Sequence, residues 1–151
     1  MIKLKNEPFH ILLADDDETD RMLFKEALED LKLRTYIETV NDGEQLIARL
    51  KAKDAKIPNV LFLDLNMPRK NGLECLKEIR QDKKFKEMSI IIYSTSSSEK
   101  NIEETFLCGA NVYINKPNDF ATLKQVLEKA VMAAYHYKDP PFNKANFLLK
   151  I

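Results

Sequence analysis

The sequence lacks a long apolar stretch and an excess of charge of either sign. No segment approaches the about 20 apolar residues that cross a membrane, and residues 1–8 lack the apolar core of a signal peptide. We therefore expect a cytoplasmic protein. The 24 basic and 24 acidic residues cancel, so the chain as a whole has no field that favours nucleic acid or a membrane surface. Proteins or small anions are the expected partners.

Cysteine is also scarce. Cys75 and Cys108 lie in separate predicted helices, and they have neither the spacing of a metal site nor the pattern of a disulfide framework. We expect both to be reduced, packed thiols. At 151 residues the chain suits one domain and is too short for two ordinary ones. We expect residues 1–151 to form that domain, with its core at about 9–135 and a C-terminal extension at 136–151.

Five short apolar runs predict buried strands. They span residues 10–14, 35–40, 60–63, 89–93 and 112–114. Apolar positions at helical spacing follow each run, and the last of these helices is predicted at about 120–135. Because strands alternate with helices and most strands lack a polar face, the pattern predicts an α/β domain with a parallel sheet covered by helices on both sides. The tail at 142–151 is too apolar for a solvated tail, so we expect it to pack on the domain or on a partner.

Reactive side chains follow four of the five predicted strands. They are Asp15, Asp16 and Asp17 after the first, Asp64 after the third, Ser94 and Thr95 after the fourth, and Lys116 after the fifth. The carboxyl ends of parallel strands meet at one edge of a sheet, where ligands of such folds bind. Carboxylates crowded there raise one another's pKa unless a cation compensates. Aspartates without cysteine or histidine are typical of a magnesium site.

A lysine and a hydroxyl beside such an ion suit phosphoryl transfer, in which charge spreads over three oxygens and catalysis depends on positioning and neutralisation. Asp64 is the predicted nucleophile. Asp17 is more simply interpreted as a surface or helix-capping acid. Thr95 adjoins Ser94 and remains the alternative hydroxyl.

These motifs resemble those of the receiver domains of two-component response regulators, over about residues 9–135. They comprise the acid pair Asp15-Asp16, the run Asp64-Leu65-Asn66-Met67-Pro68 with Gly72, Ser94, Gly109-Ala110 and Lys116-Pro117. Each is a weak signal alone, but together they follow the family's order and spacing. The resemblance implies the flavodoxin-like (βα)5 fold, a doubly wound five-stranded parallel sheet in the strand order 2-1-3-4-5.

The resemblance also implies a role for each site residue. Asp64 would accept a phosphoryl group. Asp15, Asp16 and Asp64 would hold Mg²⁺, or Mn²⁺, together with the backbone carbonyl of Asn66. Ser94 would be the switch hydroxyl, Tyr113 the switch aromatic, and Lys116 the partner of a phosphoryl oxygen. The family further implies a cis peptide bond between Lys116 and Pro117, against a general frequency of about 5–6% for such bonds.

On this resemblance we expect a stand-alone response regulator that a sensor histidine kinase phosphorylates in a Mg²⁺-dependent phosphorelay. The signal would pass to a downstream protein or phosphotransfer partner through the helix near 101–108, the last strand and the last helix. A homodimer through the same elements is left open. Residues 135–151 are too few for a helix-turn-helix module, so we expect no attached output domain. Within the family, Asp20 and the turn at 41–44 resemble the small regulators partnered with bacterial phytochromes.

Two other classes of protein need comparison. A haloacid-dehalogenase-like phosphatase would use Asp64 as a transient nucleophile, but it requires a second aspartate two residues later, where this sequence has Asn66. An FMN-binding flavodoxin would need a glycine- and threonine-rich phosphate loop after the first strand, and the sequence has none there. We therefore expect a phosphoacceptor and not a turnover enzyme.

Overall fold

The structure is a computed structural model that describes residues 7–136 and 147–149. The strands are β1 (Phe9–Ala14), β2 (Thr35–Val40), β3 (Val60–Leu63), β4 (Ser89–Ser94) and β5 (Val112–Asn115). The α-helices are α1 (Glu18–Asp30), α2 (Gly43–Lys51), α3 (Gly72–Gln81), α4 (Glu99–Leu107) and α5 (Phe120–His136). None of the helices in these described ranges has the length and apolarity needed to cross a membrane.

The five strands form one sheet in the order β2-β1-β3-β4-β5, and every neighbouring pair is parallel. This confirms the predicted fold class and strand order. The order reverses at β1, which has β2 on one side and β3 on the other. Ala14 at the end of β1 pairs with Leu63 at the end of β3. The residues that follow these two strands therefore lie at the switch point where open α/β sheets bind their ligands.

Both faces of the sheet are covered, which explains why β3 is apolar at every position. Leu61 and Leu63 face a cluster that includes side chains of α2, α3 and α4. Val60 and Phe62 face a second cluster, formed with α1 and α5. All four strand residues are buried. A strand between two helical layers has no solvent side, so the alternation of polar and apolar residues is lost.

The helices begin where polar caps end the strand-to-helix loops. Asp17 is the N-cap of α1, and its Oδ1 accepts a hydrogen bond from the Asp20 N–H at 2.9 Å. This confirms the interpretation of Asp17 as a capping acid. At α3, Asn71 and Glu74 form a reciprocal capping box that satisfies two backbone donors of the first turn.

One segment differs from the simplest sequence interpretation, and the tail at 147–149 packs on the domain, which is one of the two expected outcomes. The charged connector at 82–87 contains a short 3-10 helix at Lys83–Phe85, and the Phe85 ring is buried in the core. One aromatic side chain thus anchors a segment whose charge pattern predicts a solvated loop. The tail returns to the domain at 147–149, where Leu148 forms a parallel bridge with Tyr113 of β5. The remainder of the predicted extension, at 137–146 and 150–151, lies outside the described residues.

The peptide bond between Lys116 and Pro117 is trans, as are all peptide bonds between described residues. The expectation of a cis bond is wrong for this structure. The trans form of an X-Pro bond is favoured by about 0.5–1 kcal/mol. From this trans backbone the Lys116 Nζ already lies 2.8 Å from carboxylate oxygens of Asp15 and Asp20, so the observed ion pairs do not require the other isomer.

Gly72 begins α3 directly against the end of β3. Its N–H donates to the Leu65 carbonyl at 2.9 Å. A Cβ at this position would lie 2.3 Å from the Asp64 carbonyl oxygen and 2.7 Å from the Leu65 Cα. The loop can therefore fold back over the strand end only if residue 72 has no side chain.

We expect Gly72→Ala to lower the free energy of unfolding by about 1–3 kcal/mol, since the backbone must shift to admit the methyl group. Urea unfolding monitored by circular dichroism would measure the change. Alanine is normally the better helix residue by about 0.5–1 kcal/mol. An unchanged or higher midpoint would therefore show that the loop has room for a side chain.

Candidate functional site

Three carboxylates meet beyond the ends of β1 and β3. Asp15 follows β1 directly, Asp16 is its neighbour, and Asp64 follows β3. One carboxylate oxygen from each of the three lies within 4.8 Å of the other two. Asp15 is 0% exposed and Asp64 is 5% exposed, whereas Asp16 is exposed. Asp15 and Asp64, which directly follow the two strands, are thus the buried members of the acid cluster, and Asp16 is its exposed member.

Burial and mutual repulsion shift the ionisation of the acid cluster. Burial raises the pKa of Asp64 to about 7, with Asp15 and Asp16 adding to the rise and Lys116 opposing it. Burial likewise raises the pKa of Asp15, against the hydrogen bond from Lys116. Burial away from water and nearby negative charge both disfavour the ionised carboxylate, and a cation beside it would offset both effects. The site therefore favours an additional cation.

The donor set of the acid cluster suits a hard divalent cation. The three side chains offer only oxygen atoms, which is the ligand type that Mg²⁺ and Mn²⁺ accept. The Asn66 N–H donates to Asp64 Oδ1 at 3.2 Å, so the turn after β3 keeps the backbone of residue 66 beside the cluster. The residues present therefore fit the metal that the sequence predicts.

Lys116 places a positive charge beside the acid cluster in this structure. Its Nζ lies 2.8 Å from Asp15 Oδ2, 2.8 Å from Asp20 Oδ2 and 3.6 Å from Asp64 Oδ2, and its side chain is 8% exposed. Burial alone would lower the pKa of Lys116, but the hydrogen bonds to Asp15 and Asp20 raise it above the usual lysine value. The ammonium group therefore stays charged beside the acids.

Asp20 is the site contact that sequence reasoning missed. The sequence places it in the first turn of a helix, where acids are common because of the helix dipole. In the structure its carboxylate shares the Lys116 ammonium with Asp15. Its position in the first turn of α1, which begins just after the acid pair, is the signal that could have placed it near the acid cluster.

Ser94 and Thr95 differ in their surroundings. Ser94 ends β4 and is fully buried, and its Oγ accepts from the Ser96 N–H at 3.1 Å. Its carbonyl accepts from the Lys116 N–H at 2.8 Å. Thr95 is exposed. The buried hydroxyl at the strand end is therefore that of Ser94.

Tyr113 points inward from β5. Its ring is 0% exposed, and its hydroxyl donates to the Ser96 carbonyl at 2.7 Å. The Ser96 Oγ in turn accepts from Asn101 Nδ2 of α4 at 2.8 Å. Ser96 thus joins Ser94, Tyr113 and α4, a connection that sequence reasoning did not find because it depends on how one loop folds.

The structure is a doubly wound parallel sheet with acids, a lysine and a hydroxyl at the carboxyl ends of its strands. The chain belongs to the response regulator receiver domain family, whose model matches residues 11–128. Receiver domains accept a phosphoryl group on an aspartate, bind a divalent metal, and interact with histidine kinases and downstream partners.

Individual relatives agree with this assignment. The chemotaxis protein CheY-3 of Vibrio cholerae is 33% identical over 129 residues, which cover 85% of this chain and 96% of that protein. The phosphorylated cyanobacterial phytochrome response regulator RcpA has a TM-score of 0.77 at 30% identity, covering 86% of this chain and 95% of that one. The Mn²⁺-bound form of the response regulator Rcp1, a Synechocystis protein, has a TM-score of 0.74 at 27% identity, covering 83% and 93%. The predicted family is confirmed.

We expect Asp64→Asn to stabilise the metal-free protein by about 1–3 kcal/mol at pH 8, since one pKa unit corresponds to about 1.4 kcal/mol. The folded-state pKa lies above the unfolded one, so the wild type loses stability as the pH rises from about 4 through 7. The gain should therefore vanish near pH 4. Urea unfolding in EDTA at both pH values would test this.

Asp16→Asn is the matched control for this substitution, because it removes the same charge from the exposed member of the acid cluster. It should stabilise the protein less. Equal gains from both variants would assign the effect to general repulsion and contradict the role of burial. Mg²⁺ should raise the unfolding midpoint of the wild type and leave that of Asp64→Asn nearly unchanged.

Proposed function

We propose that Asp64 is the phosphoacceptor of this receiver domain and that a sensor histidine kinase is the donor. A carboxylate oxygen of Asp64 forms a bond to phosphorus as the P–N bond to the kinase histidine breaks, and the electron pair returns to the imidazole. The observation that supports this is the position of Asp64: it is buried, shares the acid cluster, and has Lys116 Nζ 3.6 Å away.

Mg²⁺ is the proposed cofactor, with Mn²⁺ as a substitute. Asp15, Asp16 and Asp64 would hold the ion together with the Asn66 carbonyl. When bound, the ion offsets the charge of the carboxylates and of the phosphoryl oxygens. The oxygen-only donor set and the raised pKa of Asp64 support this, as does the Mn²⁺-bound form of the similar regulator Rcp1.

Lys116 and Ser94 are proposed to bind the phosphoryl oxygens. Lys116 would exchange one of its carboxylate partners for the phosphoryl group, and Ser94 would donate its hydroxyl proton to a second oxygen. Tyr113 would hold the inward position that follows closure of Ser94. The Tyr113 hydroxyl contacts the Ser96 carbonyl in this structure, and phosphorylation would stabilise this inward position relative to an outward one.

The proposed output is a protein interaction and not turnover of a small substrate. Asn66 stands where a dehalogenase-like phosphatase needs its second aspartate, so no side-chain acid at that position can drive repeated hydrolysis. The similarity to RcpA, a cyanobacterial phytochrome response regulator, supports a phytochrome-type kinase as the partner. Steady release of phosphate from small phosphoesters would contradict the phosphoacceptor assignment.

Incubation with Mg²⁺ and acetyl phosphate should add the mass of one phosphoryl group to the protein, because the Asp64 oxygen can displace acetate from phosphorus. Intact-mass spectrometry would measure the adduct. Asp64→Asn should remain unmodified, while Asp17→Asn, an exposed capping position that asparagine also satisfies, should be modified like the wild type. An adduct that survives in Asp64→Asn would overturn the proposal.

Asp20→Asn should bind the phosphoryl mimic beryllofluoride more tightly than the wild type, by roughly twofold to fivefold. The reason is that Asp20 competes with the mimic for the Lys116 ammonium, 2.8 Å from its Oδ2. Titration in Mg²⁺, followed by tyrosine fluorescence or NMR, would give the dissociation constants. Asp17→Asn, with the same loss of charge, is the control. Weaker binding by Asp20→Asn would show instead that Asp20 holds Lys116 in its productive position.

A further inference from the structure

Residues 147–149 lie along the outer edge of β5. Leu148 forms a parallel bridge with Tyr113, and the Leu149 N–H donates to the Tyr113 carbonyl at 2.9 Å. This is the way an extended peptide adds to the edge of a sheet, with backbone hydrogen bonds for affinity and side-chain pockets for specificity. Residues 147–149 therefore occupy part of a strand-binding edge of the sheet.

Phe147 fixes this segment in place. Its ring is 2% exposed and lies between Phe106 of α4 and Tyr113 of β5. The ring centroids are 5.3 Å from Phe106 and 6.1 Å from Tyr113, at interplanar angles of 69° and 60°. These are edge-to-face arrangements, which aromatic pairs favour. We call the surface formed by Phe106 and Tyr113 the α4–β5 face.

Tyr113 makes two separate contacts. Its hydroxyl donates to the Ser96 carbonyl in the loop after Ser94, and its ring and backbone contact residues 147–149. An outward rotation of the ring would break both the hydrogen bond and the ring contact with Phe147. Conversely, departure of Phe147 would expose the apolar rings of Phe106 and Tyr113. Docking of the segment and the inward position of Tyr113 therefore favour each other.

We propose that residues 147–149 are a built-in ligand of the α4–β5 face, and that their docking is coupled through Tyr113 to phosphorylation. The coupling rests on the proposed function, in which phosphorylation favours the inward Tyr113. Coupling between two sites is reciprocal. A phosphoryl group at Asp64 tightens the docked segment, and the docked segment raises the affinity of the site for the phosphoryl group. A protein that binds the edge of β5 must displace the segment.

The first test compares beryllofluoride affinity, in Mg²⁺, of the full chain with that of Phe147→Ala. We expect the variant to bind about fivefold more weakly or worse. Leu107→Ala is the control, because Leu107 is on the same helix as Phe106 but is 71% exposed, and it should bind like the wild type. Phe147→Leu keeps apolar bulk and the fold, and it should fall between the two. Equal affinity in all four folded proteins would overturn the proposal.

The second test follows the Leu149 amide directly by hydrogen exchange, resolved by NMR. Beryllofluoride should slow its exchange in the wild type at least fivefold, by the same coupling, and should have no effect in Asp64→Asn. If the wild type binds beryllofluoride while the Leu149 exchange rate stays constant, the coupling is wrong and the proposed function stands. If the wild type does not bind beryllofluoride, the proposed function fails and the coupling fails with it.

The source of the segment is tested by dilution. A segment that docks on its own chain gives Leu149 protection that is independent of protein concentration. Protection that disappears on dilution, together with a dimer in sedimentation that Phe147→Ala abolishes, would show that a second copy supplies the segment. That result would overturn the assignment to the same chain.

Discussion

The functional site is governed by negative charge that is concentrated at the switch point of the sheet and only partly compensated. The strand order brings the ends of β1 and β3 together, and each end is followed by a buried aspartate, Asp15 and Asp64. Lys116 offsets part of this charge, yet the pKa of Asp64 still rises to about 7 because of its burial. A divalent cation would relieve the site by its charge, and it would also offset the further negative charge of a phosphoryl group.

Strand β5 links the acid cluster to the α4–β5 face. Tyr113 lies within the strand and Lys116 directly follows it, so one short element carries both a site cation and a core aromatic. The Lys116 N–H also bonds the Ser94 carbonyl, which ties the end of β5 to the end of β4. A change in the contacts of Lys116 therefore occurs directly beside the strand that contacts α4 and residues 147–149. Coupling between the site and the α4–β5 face needs no long-range pathway, because the four-residue backbone segment 113–116 carries residues of both.

Much of the fold could be predicted because the sheet is buried on both faces. Four apolar residues at 60–63, followed at once by an aspartate, admit few interpretations, and reactive side chains also occur at the ends of three of the other four strands. The contact between Lys116 and Asp20 was not predictable in the same way. It joins residues 96 apart in sequence, one in the first turn of α1 and the other directly after β5. Phe85 shows the same limit, since a single ring decides the position of a segment whose other residues are charged.

The contact of residues 147–149 with β5 also affects whether the sheet of one copy of the domain can pair with that of another. A strand at the edge of a sheet presents unpaired N–H and C=O groups that can template pairing with another sheet. At one edge of this sheet, Leu148 and Leu149 occupy part of that row of groups. At the other edge, β2 carries Glu38, which is held by Arg49 and His10, and a charge on an edge strand discourages pairing. The two edges are thus protected by different means, one by covering and one by charge.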